Sequence, residues 1–143
     1  MSAEIGREAE PFTVPVERGK VREFARATKA KHPSYLLDEN AVVPPTWLAA
    51  ASFWIGPENH VLGGVFDYSR TLHAGQEYVF HGVPPRAGET LAGRQRVESV
   101  YRKQGRRGGE LTFTVLLTEY RDGAGVLVAE VRQTIVETEK AAQ

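Results

Sequence analysis

The sequence predicts an α+β domain in which an antiparallel sheet curls around one central helix. Two observations lead to this fold. Residues 46–55 contain no charged side chain, and a helix that is apolar on every side must be covered by other structure. Three long strand-like segments in the C-terminal half, joined by short turns, are typical of an antiparallel meander.

The central helix has clear predicted ends. Thr46 is a favoured N-cap residue, because its hydroxyl can accept a hydrogen bond from an amide of the first turn. Gly56 and Pro57 predict the end, since glycine adopts the left-handed cap and proline cannot continue a helix. A helix of this length is too short to span a bilayer.

Two elements are predicted before the central helix. Residues 11–16 are a short strand weakened by its prolines. An amphipathic helix follows from Glu17 and ends before Pro33, which disfavours helical geometry at the preceding residue. Its apolar face has the i, i+3, i+4, i+7 spacing, formed by Val21, Phe24, Ala25 and Thr28. Residues 30–45 are predicted to form an irregular link.

Strands dominate the remainder. Residues 65–68 are predicted as a short edge strand, and residues 76–82 alternate as a second strand. The meander follows over residues 90–103, 110–120 and 126–138, with Gly-rich hairpin turns between them. Alternation places Leu111, Phe113, Val115 and Leu117 on one face of the second strand, and Leu127, Ala129, Val131 and Ile135 on the inward face of the third.

Composition limits the classes of function. The 143 residues suit a single domain over 1–143, with residues 1–10 and 139–143 expected to be flexible. Basic and acidic residues both number 18, which argues against nucleic acid or an anionic membrane as the main partner. There is no cysteine, which excludes disulfides and thiolate chemistry. No signal-peptide core is apparent, so a cytoplasmic location is expected.

Four segments together resemble the MaoC-like dehydratases. They are FARAT at 24–28, VVPPTWLA at 42–49, HAGQEY at 73–78 and PRAGETL at 85–91. The likeness is strongest to the N-terminal type of this family, which includes non-catalytic subunits of the actinobacterial (3R)-hydroxyacyl-carrier-protein dehydratase. The resemblance implies a hot-dog fold, pairing of two hot dogs as a homodimer or heterodimer, and no cofactor. It implies dehydration or hydration of an acyl thioester carried by coenzyme A or acyl-carrier protein.

Catalytic members of the family carry an Asp and a His in a D-x-N-P-x-H loop. Pro33 aligns with the motif proline, which puts Ala30 at the aspartate position and Tyr35 at the histidine position. A methyl group cannot exchange protons, and a tyrosine with a pKa near about 10 is a poor base at neutral pH. Whether the chain is an enzyme by itself is therefore left open by its sequence.

The remaining candidate residues lie in the loop around Pro33 and in the family-like segments 42–49 and 73–78. His32 and His73 are the weak candidates for a replacement base, and His60 is given no role. No histidines have metal-ligand spacing, so no metal site is predicted. The substrate-binding candidates are Tyr35, Trp47, Gly75, Gln76 and Tyr78.

Three functions remain in competition. The preferred one is a non-catalytic substrate-binding subunit that pairs with a chain carrying the Asp/His dyad in fatty-acid metabolism. The second is a self-sufficient homodimeric hydratase or hot-dog thioesterase that uses His32 or His73. The third is an acyl-thioester binding protein without catalysis.

Overall fold

The computed structural model describes residues 3–63 and 67–139. It contains, in chain order, β1 (Phe12–Pro15), α1 (Arg18–Ala27), α2 (Pro33–Leu36), a central 3₁₀ helix (Trp47–Trp54), a short 3₁₀ turn (Pro57–Asn59), β2 (Thr71–Phe80), β3 (Thr90–Gln104), β4 (Glu110–Arg121) and β5 (Leu127–Thr138).

The five strands form one antiparallel sheet in the order β1-β3-β4-β5-β2. The predicted meander is confirmed, because β3, β4 and β5 pair in sequence as two successive hairpins. β2 pairs with β5 and forms one edge of the sheet, while β1 pairs with β3 at the other edge. This is the α+β arrangement expected, with the sheet packed on the central helix.

One face of the sheet, called here the inner face, packs on the central helix. Tyr120, Ala129 and Val131 share a buried cluster with Trp47 and Leu48 of that helix. Successive side chains of a strand point to opposite faces of the sheet, so the pairing of β4 with β5 shows which β4 residues lie on the inner face. It carries Thr114, Leu116, Thr118 and Tyr120, all buried.

The apolar face predicted for β4 is therefore the outer one. Leu111, Phe113, Val115 and Leu117 alternate with the inner-face residues. Alternation alone could not show which face of β4 is the inner one, because both faces carry large apolar side chains. On the outer face Phe113 stacks on Tyr101 with 4.9 Å between ring centroids.

The central helix differs from prediction in three ways. It ends at Trp54, and Gly56 is extended with a φ of −89°, so this glycine does not form the left-handed cap expected of it. Thr46 makes no side-chain capping hydrogen bond. The first amides are satisfied by backbone carbonyls instead, since Trp47 N donates to Pro44 O and Ala49 N donates to Thr46 O, both at 3.0 Å. The helix is also not covered throughout, because Phe53 is 76% exposed where its C-terminal end emerges from the sheet. Lys20 of α1 lies over this ring, 4.8 Å from its centroid.

α1 is amphipathic as predicted, with Val21 and Ala25 buried. The link that follows is less irregular than expected, since Pro33–Leu36 forms α2. His32 is its N-cap, and Nδ1 of His32 accepts a hydrogen bond from Ser34 N at 3.2 Å. A proline at the first helical position already has the backbone angle of a helix, which favours this start.

β2 begins earlier than predicted, at Thr71 instead of residue 76. β2 is paired with β5 from Thr71 onward, with a shift of register between His73 and Gly75. The predicted edge strand over 65–68 begins outside the described residues, and Tyr68 lies in a turn.

The N-terminal segment was expected to be flexible, but residues 6–9 are tied to β3. Gly6 N donates to Val97 O and Ala9 N donates to Gln95 O, both at 2.9 Å. Ala9 is buried beside Val97 in a second cluster of the core. At the other end of the chain, residues 140–143 lie outside the described part.

Candidate functional site

A cleft of about 410 Å³ opens between the end of the central helix and the inner face of the sheet. We call it the inner-face cleft. Its walls come from three separate parts of the chain: the helix end and the following turn, β3 and β5. The lining residues are Ser52, Ile55, Gly56, Pro57, His60, Gln95 and Gln133.

Two glutamines give the sheet side of this cleft its polarity. Gln95 is 5% exposed, and its Oε1 accepts a hydrogen bond from Val61 N at 3.0 Å. Its amide nitrogen makes no hydrogen bond with any described residue. Gln133 is half-buried and makes no side-chain hydrogen bond with any described residue. Carboxamides at these two positions can bind carbonyl or amide groups of a ligand.

His60 also lines the cleft, although nothing in its own segment had indicated a role for it. Its Nδ1 accepts a hydrogen bond from Leu62 N at 3.2 Å, which places the proton of the neutral ring on Nε2. Partial burial lowers the pKa of His60, because desolvation disfavours the charged ring. The cleft therefore presents a neutral imidazole at neutral pH.

A second, shallower groove of about 310 Å³ lies at the β2 edge, and Gln133 lines it as well. His73 lines this groove, and its Nε2 donates to Oε1 of Gln76 at 2.8 Å. Burial raises the pKa of Tyr78, and the side chain of Gln76 opposes that shift. The register places all three β2 side chains, His73, Gln76 and Tyr78, on the inner face. The structure thus brings together three of the predicted site residues.

Two other predicted residues lie elsewhere. Trp47 is completely buried in the core, and its Nε1 has no hydrogen-bond partner among the described residues. Gly75 pairs with Thr134 on the outer side of β2, because the irregularity after His73 changes the alternation. A Cβ built on Gly75 would lie 3.6 Å from the Thr134 side chain, an ordinary contact.

The loop aligned with the family dyad lies at the end of α1. Ala30 N donates to Ala25 O at 2.8 Å, so this residue closes the helix. Tyr35 is half-buried in α2, with its ring edge-on to that of His32 at 6.0 Å between centroids. His32 is exposed, and its Nδ1 lies 2.7 Å from Ser34 Oγ. Nδ1 of the histidine in this loop is therefore engaged in capping α2.

A histidine and a carboxylate do meet on the outer face. His81 Nε2 donates to Glu130 Oε2 at 2.7 Å, and Glu130 also pairs with Arg132. The His81 side chain is 41% exposed, which agrees with its position on the outer face of the sheet. This pair is on the wrong side of the sheet to serve the cleft.

Residues 3–63 and 67–139 contain neither a metal-binding cluster nor a membrane-spanning helix. No group of three or more His, Cys, Asp or Glu side chains is close enough to hold a metal ion. Nor does any helix in this part of the chain have the length and apolar character needed to cross a membrane.

Comparison with known proteins extends these observations. The model of the FAS1-like dehydratase domain region matches residues 3–131. A UPF0336 protein of Saccharopolyspora erythraea is 31% identical over 144 residues, covering 92% of this chain and 87% of the relative.

Solved structures with the same architecture include two complexes from Mycobacterium tuberculosis. The truncated HadBC (3R-hydroxyacyl-ACP dehydratase) complex has a TM-score of 0.75 at 24% identity, covering 94% of this chain and 98% of that one. The ChsH1-ChsH2 complex has a TM-score of 0.73 at 19% identity, covering 95% and 86%. These likenesses confirm the predicted hot-dog fold.

Proposed function

The chain belongs to the FAS1-like dehydratase family, and we propose that it acts there as a non-catalytic, substrate-binding subunit. It would bind an acyl thioester and pair with a separate hot-dog chain that carries the Asp/His dyad. The observation that carries this proposal is the loss of both proton carriers from an otherwise intact hot dog.

Elimination of water from a 3-hydroxyacyl thioester needs a base for the C2 proton and an acid for the departing hydroxyl. Ala30 offers neither group. Tyr35 retains a phenol, but its ordinary pKa near about 10 makes it a weak base at pH 7. His32, between them, already uses Nδ1 to cap α2. These contacts support a subunit that leaves the proton transfers to its partner.

The inner-face cleft supports a binding role. A thioester and its pantetheine arm contain carbonyl and amide groups that bind to carboxamides in a sheltered site. Gln95 and Gln133 supply such groups, and His60 adds a neutral ring opposite them. Gln76 and Tyr78 add polar groups to the same inner face along β2, while Trp47 supports the site only from within the core.

The exposed edge of the sheet supports pairing. In the described part of the chain, β2 has β5 on one side and no strand on the other. An uncovered strand edge presents unpaired backbone groups, and a second sheet can satisfy them by continuing the ladder. The groove at His73 borders this edge, so a partner bound there would complete the wall of the site. HadBC and ChsH1-ChsH2 are both described as complexes of two chains.

The test is enoyl-thioester hydration, followed as loss of the conjugated-thioester absorbance. The purified chain is assayed alone and with a dyad-bearing MaoC-like chain co-expressed from the same organism, on crotonyl-CoA and on a long-chain trans-2-enoyl-CoA. We expect no activity from this chain alone. We expect the pair to elute as one complex and to be more active on the long chain than the catalytic chain alone.

Clear hydration by the isolated chain would overturn this proposal. His32→Ala and His73→Ala would then identify the base, with His81→Ala as a control on the outer face. Thioester cleavage without hydration would point to a hot-dog thioesterase instead. Acyl-thioester binding with no activity in any pairing would leave a binding protein.

A further inference from the structure

One hydrogen-bond donor of the inner-face cleft is fixed by a bond inside the protein. Gln95 lines the cleft, is 5% exposed, and uses Oε1 to accept a hydrogen bond from the amide of Val61 at 3.0 Å. A carboxamide nitrogen could not accept this bond, so the orientation of the Gln95 side chain is set. Its Nε2 has no hydrogen-bond partner in the described part of the chain and, unlike Nε1 of Trp47, is not sealed from solvent. Nε2 of Gln95 is therefore an open donor.

His60 is fixed as a donor in the same way. Its Nδ1 accepts a hydrogen bond from Leu62 N at 3.2 Å, so the proton of the neutral ring is on Nε2. The other tautomer would lose this bond to the backbone. The amides of Val61 and Leu62 are consecutive in the chain, so one short segment sets the polarity of both Gln95 and His60. Each of these two lining residues thus carries an N–H group.

The other polar side chains of the cleft adapt to either kind of partner. Gln133 makes no hydrogen bond with any described residue, so its carboxamide can present either end. The hydroxyl of Ser52, which also lines the cleft, can donate or accept. The two fixed donors therefore decide the polarity of the cleft, and they select a ligand atom that accepts hydrogen bonds.

The cleft offers no positive charge to an anionic ligand. Among its described lining residues the only ionisable side chain is that of His60, which is neutral at neutral pH. Glu58 adds a negative charge nearby, because its Oε2 lies 2.7 Å from the position that a Cβ on Gly56 would occupy, and Gly56 lines the cleft. A carboxylate bound there would lose its hydration without a counter-charge and would be repelled by Glu58. A neutral acceptor is favoured.

We propose that the inner-face cleft binds a neutral carbonyl oxygen, held by the N–H groups of Gln95 and His60. The inference rests on the proposed function, and it specifies which part of an acyl thioester this cleft takes: the thioester carbonyl or an amide carbonyl of the pantetheine arm. A hydrocarbon tail in the same place would leave the amide nitrogen of Gln95 buried without a partner, which costs free energy. None of residues 30–35 lines the cleft, so this contact is separate from the loop aligned with the dyad.

The first experiment observes the side-chain NH₂ of Gln95 in ¹⁵N–¹H spectra of the full wild-type chain, after sequential assignment. Three probes are titrated. Crotonyl-CoA is the thioester, N,N-dimethylacetamide has a neutral carbonyl and no donor, and acetate is an anionic acceptor of similar size. We expect crotonyl-CoA and dimethylacetamide to move the Gln95 NH₂ protons to lower field, because a new hydrogen bond deshields them. Acetate should leave them in place.

The second experiment measures affinity by calorimetry for Gln95→Glu, which keeps an acceptor for Val61 and replaces the open donor with an acceptor. Gln104→Glu is the matched control, since Gln104 lies on the same strand with an exposed side chain. The ligands are crotonyl-CoA and S-(2-butenyl)-CoA, a thioether that lacks the thioester carbonyl. We expect Gln95→Glu to bind crotonyl-CoA at least about tenfold more weakly than the wild type, and the control to match the wild type.

The thioether identifies the carbonyl that is bound. A loss confined to crotonyl-CoA in Gln95→Glu assigns it to the thioester, and an equal loss for the thioether assigns it to the arm; either result supports the proposal. Wild-type affinity for both ligands in Gln95→Glu would overturn it while leaving thioester binding intact.

The spectra decide the question even if Gln95→Glu does not fold. If crotonyl-CoA and dimethylacetamide both leave the Gln95 NH₂ protons unmoved, the carbonyl proposal is wrong. Equal movement with acetate would overturn the choice of a neutral ligand. If dimethylacetamide moves these protons but neither coenzyme A derivative binds, the carbonyl site stands and the acyl thioester of the proposed function is the wrong ligand.

Discussion

The ring of Phe12 on β1 lies directly over Gly93 of β3, where a Cβ atom would overlap the ring. The same ring meets Tyr120 of β4 edge-on, with 6.0 Å between centroids. Glycine is thus required at residue 93 by the space that Phe12 occupies. The requirement comes from the close approach of the ring, since Gly93 does not have a positive φ angle.

Gly93→Ala should destabilise the fold by about 1–3 kcal/mol, because the added methyl overpacks a rigid part of the core. Gly19→Ala is the matched control, since a Cβ at this helical position meets nothing within 4 Å. That change should stabilise the protein by about 0.5–1 kcal/mol through helix propensity. Urea unfolding measures both values, and equal effects at the two glycines would refute the packing argument.

Substitutions of the two glutamines of the inner-face cleft should distinguish an effect on stability from an effect on ligand binding. Gln95→Leu removes the acceptor for the buried Val61 amide and should cost about 1–3 kcal/mol in the free energy of unfolding. Gln133→Leu should change stability by less than about 0.5 kcal/mol, because the Gln133 side chain makes no hydrogen bond with the described part of the chain.

Thioester binding by these two variants completes the comparison. Gln133→Leu should weaken binding while leaving the urea midpoint in place. Wild-type affinity in the Gln133→Leu protein would show that the ligand does not reach this wall of the cleft.

His60 should make stability depend on pH. Because burial lowers its pKa in the folded state, the unfolded chain binds the proton more readily, with an ordinary pKa near about 6.5. The contribution of neutral His60 is fully present above that value and is lost as the pH falls below it. The free energy of unfolding, measured with urea, should fall between pH 7.5 and pH 5.5, and His60→Gln should make this fall smaller. A fall of the same size in the variant would show that His60 is not the group responsible.

An ion-pair network on the outer face offers a fourth test. Arg132 Nε and Nη2 donate to the two oxygens of Glu98 at 2.9 and 3.0 Å, and the pair is 28% exposed on each side. Hydrogen bonds to Glu98 raise the pKa of Arg132. Glu98→Gln should cost about 1 kcal/mol, because this bidentate pair is partly sheltered.

Glu77→Gln is the control for that network. Glu77 reaches Arg132 at 3.4 Å, but its side chain is 59% exposed. An exposed, single contact of this kind should contribute no more than a few tenths of a kcal/mol, about the lower end for surface pairs. Chemical denaturation of both variants at low and high salt distinguishes the two pairs.

The strands could be read from the sequence because their signals are local. Alternation and hairpin glycines fixed β3, β4 and β5 to within one or two residues. Gly108 and Gly125 adopt left-handed angles in the two hairpins, which is why glycine stands there. The start of β2 was missed because pairing with β5, a long-range effect, extends that strand across an irregularity.

The cleft was harder to predict, because His60, Gln95 and Gln133 come from three distant parts of the chain. Each looks ordinary in its own segment. The useful signal was a polar residue at an inner-face position. Gln95 shares one face of β3 with Gly93 and Val97, so its side chain is directed toward the core. A carboxamide there needs partners, and Val61 provides only one of them.

The two tryptophans stand at opposite ends of the central helix, and their surroundings make them separate optical reporters. Trp47 is sealed in the core, so its fluorescence should be blue-shifted and insensitive to added quencher. Trp54 is half-buried where the helix emerges, next to Ile55 of the cleft wall. The Trp54→Phe protein keeps only Trp47, whose emission reports unfolding. The Trp47→Phe protein keeps only Trp54, whose emission reports occupancy of the cleft.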